Sequence, residues 1–478
     1  MPAHLTHLTH LTHPTHPTHP THPTHPTHPT HLTHFTRLAQ SRSGQTPAAA
    51  GDARATGSAL GIYSICSAHP LVIEAAMHQA LDDGTPLLVE ATANQVNQFG
   101  GYTGMQPADF RRFVLAIAHR VGLPPDRVLL GGDHLGPTAW THLPAAEAME
   151  LAQDLVHAYA AAGFVKLHLD ASMACADDPQ ALDDETVARR AARLCQAAER
   201  GSTCPAPGPV YVIGTEVPVP GGAAHALEHV QVTARADAQR TLQVHREVFA
   251  QQGLDPVWPR IIAMVVQPGV EFDHTRVVDY APGEASDLKQ LLRQHPQLVF
   301  EAHSTDYQRP EALRQLVQDG FAILKVGPGA TFALREVLFA LAAIEEQLVD
   351  APQRSHLPAV LESAMLGRPA NWERYYRGEQ PDPGAQRLLR IYSYSDRIRY
   401  YWADPTVNAA VARLLDNLSA CALPENMLSQ FLPAQYQAVR AGRLAPSPHA
   451  LVLDRVREAI RPYAAACGQS LTAAPPPP

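Results

Sequence analysis

The sequence predicts an α/β protein: a (β/α)8 TIM barrel with a C-terminal helical extension and a disordered His/Pro/Thr-rich N-terminal leader. Three observations carry that prediction. Eight short β-branched or apolar runs fall between residues 58 and 348, helical patterns alternate with them, and no GxGxxG turn of the kind that opens a doubly wound sheet follows the first run. The expected boundaries are 1–54 for the leader, 55–348 for the barrel, 349–467 for the extension and 468–478 for a disordered tail.

The leader comes first. Residues 4–36 repeat His-Leu-Thr or His-Pro-Thr at period three and hold 11 of the 26 histidines. Such a tract has no face to bury, so it reads as a structureless leader, with metal scavenging by clustered imidazoles as the other reading. The eight runs follow as "SALGIYSICSAH", "TPLLVEAT", "RVLLGGDH", "FVKLHLDAS", "PVYVIGTEV", "RIIAMVVQPG", "LVFEAHSTD" and "FAILKVGPG". Between the second and third, Phe110, Phe113, Val114, Ile117 and Val121 recur at helical spacing, as do Val187, Ala191, Leu194, Cys195 and Ala198 between the fourth and fifth. Each such helix can cover one face of a parallel sheet. The carboxylates at 177–178 and 183–185 read as helix starts. Beyond residue 350 the pattern turns helical and rich in Arg and Tyr ("WERYYRGEQ", "YSYSDRIRYYW"), with a last amphipathic helix near 449–463.

Composition narrows the function classes. A chain of 478 residues with 45% hydrophobic and 17% charged content can bury a large core. Its net charge of −9, with the 37 Lys and Arg spread along the chain, offers no basic stripe, so no nucleic-acid partner is expected. The cysteines at 66, 175, 195, 204, 421 and 467 show no CxxC spacing and read as free thiols in a reducing compartment. No apolar run reaches the roughly 20 residues that span a bilayer, and the N-terminus has no apolar signal core. The expectation is a cytoplasmic protein with no membrane contact.

In a barrel of this kind the site lies at the C-terminal ends of the strands. The polar residues closing the runs are Ser67, His69, Glu90, Asp133, His134, His168, Asp170, Glu216, Gln267, Glu271, Glu301, His303, Asp306 and Lys325. Oxygen and imidazole donors without a thiolate suit a divalent metal such as Zn, Mn or Mg. In "GGDHLGP" the Asp133-His134 pair sits where a strand ends and the backbone turns, so both can serve one site. The expected metal ligands are His134 and His303 with a carboxylate from Glu216 or Asp170, and Asp133 and Glu90 are the expected proton-handling residues. His168 reads equally well as a satisfied core histidine. Glu90 and Glu216, if barrel-facing, need a cation or Lys325 as partner. The amides Asn94, Gln95, Asn97 and Gln98 can bond sugar hydroxyls, and "KVGPGAT" offers Lys325 and the backbone of Gly327 and Gly329 to a phosphate. Arg397 is a further expected ligand contact.

These segments also resemble a known family. "GIYSICSAHPLVIEAA", "VEATANQVNQFGGYTGM", "GGDHLGP", "KLHLDASMACADD", "VIGTEVPVPGG", "VVQPGVEFDH", "EAHSTDYQ", "FAILKVGPG" and "SDRIRYYW" are similar, in this order and over residues 58–465, to the GatZ/KbaZ family, the non-catalytic subunit of class II D-tagatose-1,6-bisphosphate aldolase. The resemblance implies a TIM barrel of galactitol or N-acetylgalactosamine catabolism that supports a separate catalytic subunit, its partner; it leaves a homo-oligomer open. Class II aldolases carry an Asp-His pair after a barrel strand, His on zinc and Asp as proton carrier, which Asp133 and His134 resemble. The His-Gly-Gly metal motif of the catalytic subunits is not found here, and "EAHSTD" stands where a second ligand is expected. The alternative reading is a metal-dependent ketose 6-phosphate 4-epimerase, interconverting fructose 6-phosphate and tagatose 6-phosphate by retro-aldol and aldol steps.

Overall fold

The computed structural model describes residues 31–42, 59–214, 223, 230–376 and 382–468. All eight runs become parallel strands of one closed barrel: β1 (Ile62–Ile65), β2 (Leu87–Thr92), β3 (Val128–Leu135), β4 (Lys166–Leu169), β5 (Val210–Ile213), β6 (Ile261–Val265) and, after an antiparallel hairpin of β7 (Glu271–Phe272) and β8 (Val277–Val278), β9 (Val299–Ala302) and β10 (Phe321–Val326). Closure pairs Ile62 with Ile323 and Ser64 with Leu88. The strands are short and nearly all their residues are buried, which is why they read as unbroken apolar runs rather than alternating ones.

One helix departs from expectation. Most of the leader lies outside the described residues, including His4 to His28, but its end forms helix α1 (His31–Arg42). Phe35, Leu38 and Ala39 are buried against Ile62, Leu88, Leu129, Val210 and Val299, which belong to the N-terminal halves of the strands. The helix therefore plugs the end of the barrel opposite the strand C-termini. Its physical reason is in the residues: the prolines of the repeat end at Pro29, and Leu32, Phe35, Leu38 and Ala39 then recur at helical spacing. His31 Nε2 bonds the Gly208 carbonyl at 2.8 Å, and Ser41 Oγ accepts from Leu60 N at 2.9 Å.

The barrel helices α2 (Pro70–Asp83), α3 (Pro107–Val121), α4 (Ala145–Ala161), α5 (Asp184–Gly201), α6 (Arg235–Gln251), α7 (Leu291–Gln294), α8 (Pro310–Gln318) and α9 (Pro328–Leu348) follow the strands. The stripes Phe110–Val114–Ile117 and Val187–Ala191–Leu194–Ala198 are buried, as helical spacing requires. Asp183 caps α5 through Thr186 N at 2.7 Å, the role read for that carboxylate. The extension comprises α10 (Leu357–Gly367), α11 (Pro383–Tyr392), α12 (Pro405–Ser419), α13 (Glu425–Phe431), α14 (Pro433–Arg440) and α15 (Pro448–Ala466). It shares one continuous core with the barrel helices. The end of α15 reaches the segments that flank the strands: Gly61 N donates to Cys467 O at 3.1 Å, and the Tyr463 hydroxyl to Thr305 O at 2.6 Å. No helix of the described residues is long and apolar enough to cross a membrane. All six cysteines are free thiols.

Candidate active site

The turn at the end of β3 explains the pair that opens the site. His134 adopts a left-handed conformation with φ of 49°, and the β3–β4 register shifts between Gly132 and Leu135. Neighbouring side chains of a regular strand would point to opposite faces; this irregularity turns Asp133 and His134 to the same mouth. The glycines leave room for it. A β-carbon on Gly131 would lie 2.5 Å from Glu90 Oε1, and one on Gly136 would lie 1.6 Å from the Asp170 carbonyl oxygen.

Strand alternation supplies the rest. Lys166, His168 and Asp170 project inward from β4 and its end, Glu301 and His303 from β9 and its end, Glu90 from β2, and Lys325 from β10; all are buried. Lys166 Nζ bridges Glu90 at 2.8 Å and Glu301 at 2.6 Å. Lys325 Nζ bonds Glu90 and reaches Asp133 at 2.9 Å and Glu301 at 3.5 Å. His134 Nδ1 meets Asp170 Oδ2 at 2.8 Å, His168 Nδ1 meets Asp133 Oδ1 at 3.0 Å, and His303 Nε2 meets Glu301 Oε1 at 2.9 Å.

Protonation follows from these neighbours. Burial opposes ionisation of Asp133 and Glu301, yet His134 and Lys325 around the first, and Lys166 and Lys325 around the second, hold both carboxyls well below their usual range. Asp170, also buried, is brought to about 2 by its bond to His134. Burial disfavours the charged imidazole of His134, but Asp133 and Asp170 outweigh it and raise its pKa. Burial lowers His303 to about 4, which leaves a neutral imidazole, the form that binds a metal.

Asp133, His168, Glu301 and His303 each place a donor atom within 4.8 Å of the others. The His168 Nε2 atom is buried with no hydrogen-bond partner among the described residues. An unpartnered buried nitrogen is costly unless something fills its lone pair or takes its proton. Two imidazoles and two carboxylates fit a divalent cation of the zinc or manganese kind. His303, an expected ligand, lies in this cluster. His168 stands where His134 was expected, and His134 with Asp170 forms an adjacent dyad. The three imidazoles still converge, with ring centroids 4.9 Å (His134–His303), 5.3 Å (His134–His168) and 5.3 Å (His168–His303) apart. Glu216 lies outside the described residues.

Above this layer opens a pocket lined by Asp133, His134, His303, Lys325, Thr92, Asn94, Gln95, Tyr102, Ser304, Asp306, Gly327, Arg399 and Tyr400, among others. Glu90 lies beneath it, saturated by the two lysines and Ser64. Asn97 and Gln98 are turned to the protein. Asn97 bonds the Ala93 carbonyl at 3.0 Å and the amides of Phe99 and Gly101, and Gln98 bonds Leu151 O at 2.9 Å. The Gly329 amide faces Asp306 rather than open space. Arg397, expected as a ligand contact, stacks on the Tyr375 ring at 3.1 Å and bonds Asn371 O; Arg399, two residues on, reaches the pocket instead. Lys166 went unremarked in the sequence, although "KLHLD" places it at the same alternation as His168 and Asp170.

Fold and site together define a (β/α)8-barrel protein with a buried carboxylate–imidazole–lysine layer suited to a divalent cation. The chain belongs to the GatZ/KbaZ-like family: the family model described as "D-tagatose-1,6-bisphosphate aldolase subunit GatZ/KbaZ-like" matches residues 49–468. It is similar to a solved structure titled as a probable tagatose 6 phosphate kinase from Sinorhizobium meliloti 1021, at 52% identity and a TM-score of 0.78, over 85% of this chain and 100% of that one. More distant matches include the fructuronate-tagaturonate epimerase UxaE from Cohnella laeviribosi (13% identity, TM-score 0.43, 86% of this chain and 81% of that one) and the YdjI aldolase from Escherichia coli K12 (10%, 0.34, 73% and 93%).

Proposed function

We propose that this chain is a cytoplasmic, metal-dependent ketose 6-phosphate 4-epimerase that works by breaking and remaking the C3–C4 bond. The observation that carries the reading is the orphaned Nε2 of His168 inside a four-donor cluster, next to a His–Asp dyad that opens on a pocket. Asp133, His168, Glu301 and His303 would hold a divalent cation, which supplies Lewis-acid stabilisation of negative charge on the ketose oxygens. His134 in its neutral form, oriented by Asp170, takes the C4 hydroxyl proton as the bond breaks and returns it after the aldehyde has turned. Lys325, fixed by Glu90 and Asp133, donates toward the developing oxyanion. Asn94 and Gln95 bond sugar hydroxyls, and Arg399 takes the phosphate. Cleavage and re-addition balance: no electrons, water or co-substrate are consumed.

A second reading, support of a class II aldolase catalytic subunit in tagatose 6-phosphate catabolism, is favoured by the family match itself. It is compatible with the first. A phosphotransferase reading has less support, because the Gly327 and Gly329 amides already donate to Asp306. The deciding assay incubates the purified chain with fructose 6-phosphate and Zn, Mn or Mg and measures tagatose 6-phosphate. Formation of that product is expected; none with any of the three metals would sink the epimerase.

A further inference from the structure

The first turn of α9 already carries an anion, and the protein supplies it. Asp306, only 3% exposed, accepts through Oδ1 from Gly327 N–H at 2.9 Å and Gly329 N–H at 2.7 Å. Amides at the head of a long helix are where a ligand phosphate docks, and the glycines of this turn pointed to that use. A β-carbon on Gly329 would come 3.0 Å from the same Oδ1, so the carboxylate lies in the space the missing side chain leaves. Asp306 and Gly327 both line the pocket that holds His134 and Lys325. The cradle opens on the site, and it is full.

Cations tell the same story. Of the lysine and arginine side chains that line the pocket among the described residues, Lys325 is held by Glu90 and Asp133. Among the described residues, Arg399 has no carboxylate among its hydrogen-bond partners, which are the Ser395 and Asp396 carbonyls and the Tyr400 phenol. Among the described residues, that leaves Arg399 for one phosphate.

We propose that Asp306 sets how many phosphates the substrate carries: its carboxylate stands where a second phosphate would bind, so the pocket takes ketose monophosphates and rejects ketose 1,6-bisphosphates. The C1 hydroxyl of a monophosphate can donate to Asp306, whereas a C1 phosphate meets like charge in a buried place. The inference rests on the sugar-phosphate reading above and narrows its substrate class.

Calorimetric titration of the full chain with fructose 6-phosphate and fructose 1,6-bisphosphate tests it, because binding is read separately from turnover. Wild type should bind the bisphosphate roughly tenfold or more weakly than the monophosphate. Asp306→Ser, which frees the amides, should narrow that ratio by roughly tenfold. Asp306→Asn still accepts both amide hydrogens without the charge; it should fold and fall between, and it carries the test if the Ser variant does not fold. Equal binding of both sugars by wild type, or a ratio unmoved in the folded variants, overturns the proposal. The expected preference without tagatose 6-phosphate formation would leave it standing and remove only the epimerase. Binding of neither sugar overturns both.

Discussion

At the scale of single residues, the site turns on which histidine does what. His168 offers a free nitrogen within the donor cluster, whereas His134 is tied to Asp170 at 2.8 Å. His168→Ala should therefore lose most of the bound metal together with turnover. His134→Ala should keep the metal and lose turnover only. Metal content of the two purified variants is the check, and a metal-free His134→Ala protein would exchange the roles. Lys166 makes a different point. It is wholly buried between Glu90 and Glu301, and neither carboxylate can reach water when it is removed. Lys166→Ala should cost about 3–5 kcal/mol in a denaturant titration; a loss near zero would mean that the pair relaxes or protonates freely. The turn at the Asp-His pair was readable because glycines flank it. The left-handed backbone at His134, which swings it toward Asp170, has no signature in residue types, so which imidazole pairs with Asp170 and which lies in the four-donor cluster was not readable.

At the scale of elements, every barrel strand was legible, since a strand covered on both faces leaves an unbroken apolar run. Elements whose place depends on distant partners were not. Arg397 and Arg399 are equivalent in the sequence, and only the packing of the segment against Tyr375 and Tyr400 sends one inward to the core and the other to the pocket. Helix α1 was hidden by the repeat that precedes it. Removing residues 2–42 uncovers Ile62, Leu88 and Leu129 at the barrel base and should lower the melting temperature. An unchanged melting temperature would show that the helix adds nothing to stability.

Helix α15 is tied to α2 by His449 and Glu74, 3.3 Å apart, with Arg120 also on the carboxylate. The bonds to His449 and Arg120 lower Glu74 to about 2, and the bond to Glu74 raises His449. The signs differ. The Glu74 contribution is present above its ordinary 4.5 and fades as pH falls toward about 2; that of His449 is present below its ordinary 6.5 and fades as pH rises through its raised folded value. The pair is at full strength between those ordinary values. Replacing His449 by Ala should flatten stability on the alkaline side of that window, by a small amount because His449 is half exposed. Melting curves of both proteins across pH 4 to 8 report it, and parallel curves would leave the contact without weight.

For the whole molecule, the deciding quantity is the charge balance inside the barrel. Among the described residues of this layer, Glu90, Asp133, Asp170 and Glu301 are four carboxylates, Lys166 and Lys325 two ammonium groups, and four less two leaves two negative charges before the histidines are counted. One divalent cation would close that difference and would partner the His168 nitrogen in the same step. The unfolded chain has no such cluster, so a cation that binds only the folded barrel must stabilise it. At a free concentration about 100 times its Kd the gain is about 2.7 kcal/mol. Zinc or manganese added to chelator-treated protein should therefore raise the denaturation midpoint, and excess chelator should return it. His168→Ala should show neither change. The N-terminal histidine tract is a second possible sink for metal, so the titration belongs on the chain lacking residues 2–30, which retains α1. A midpoint unmoved by either metal in that protein would mean that two protons taken up within the layer balance it without a cation, and the lysines and carboxylates would then be a structural core.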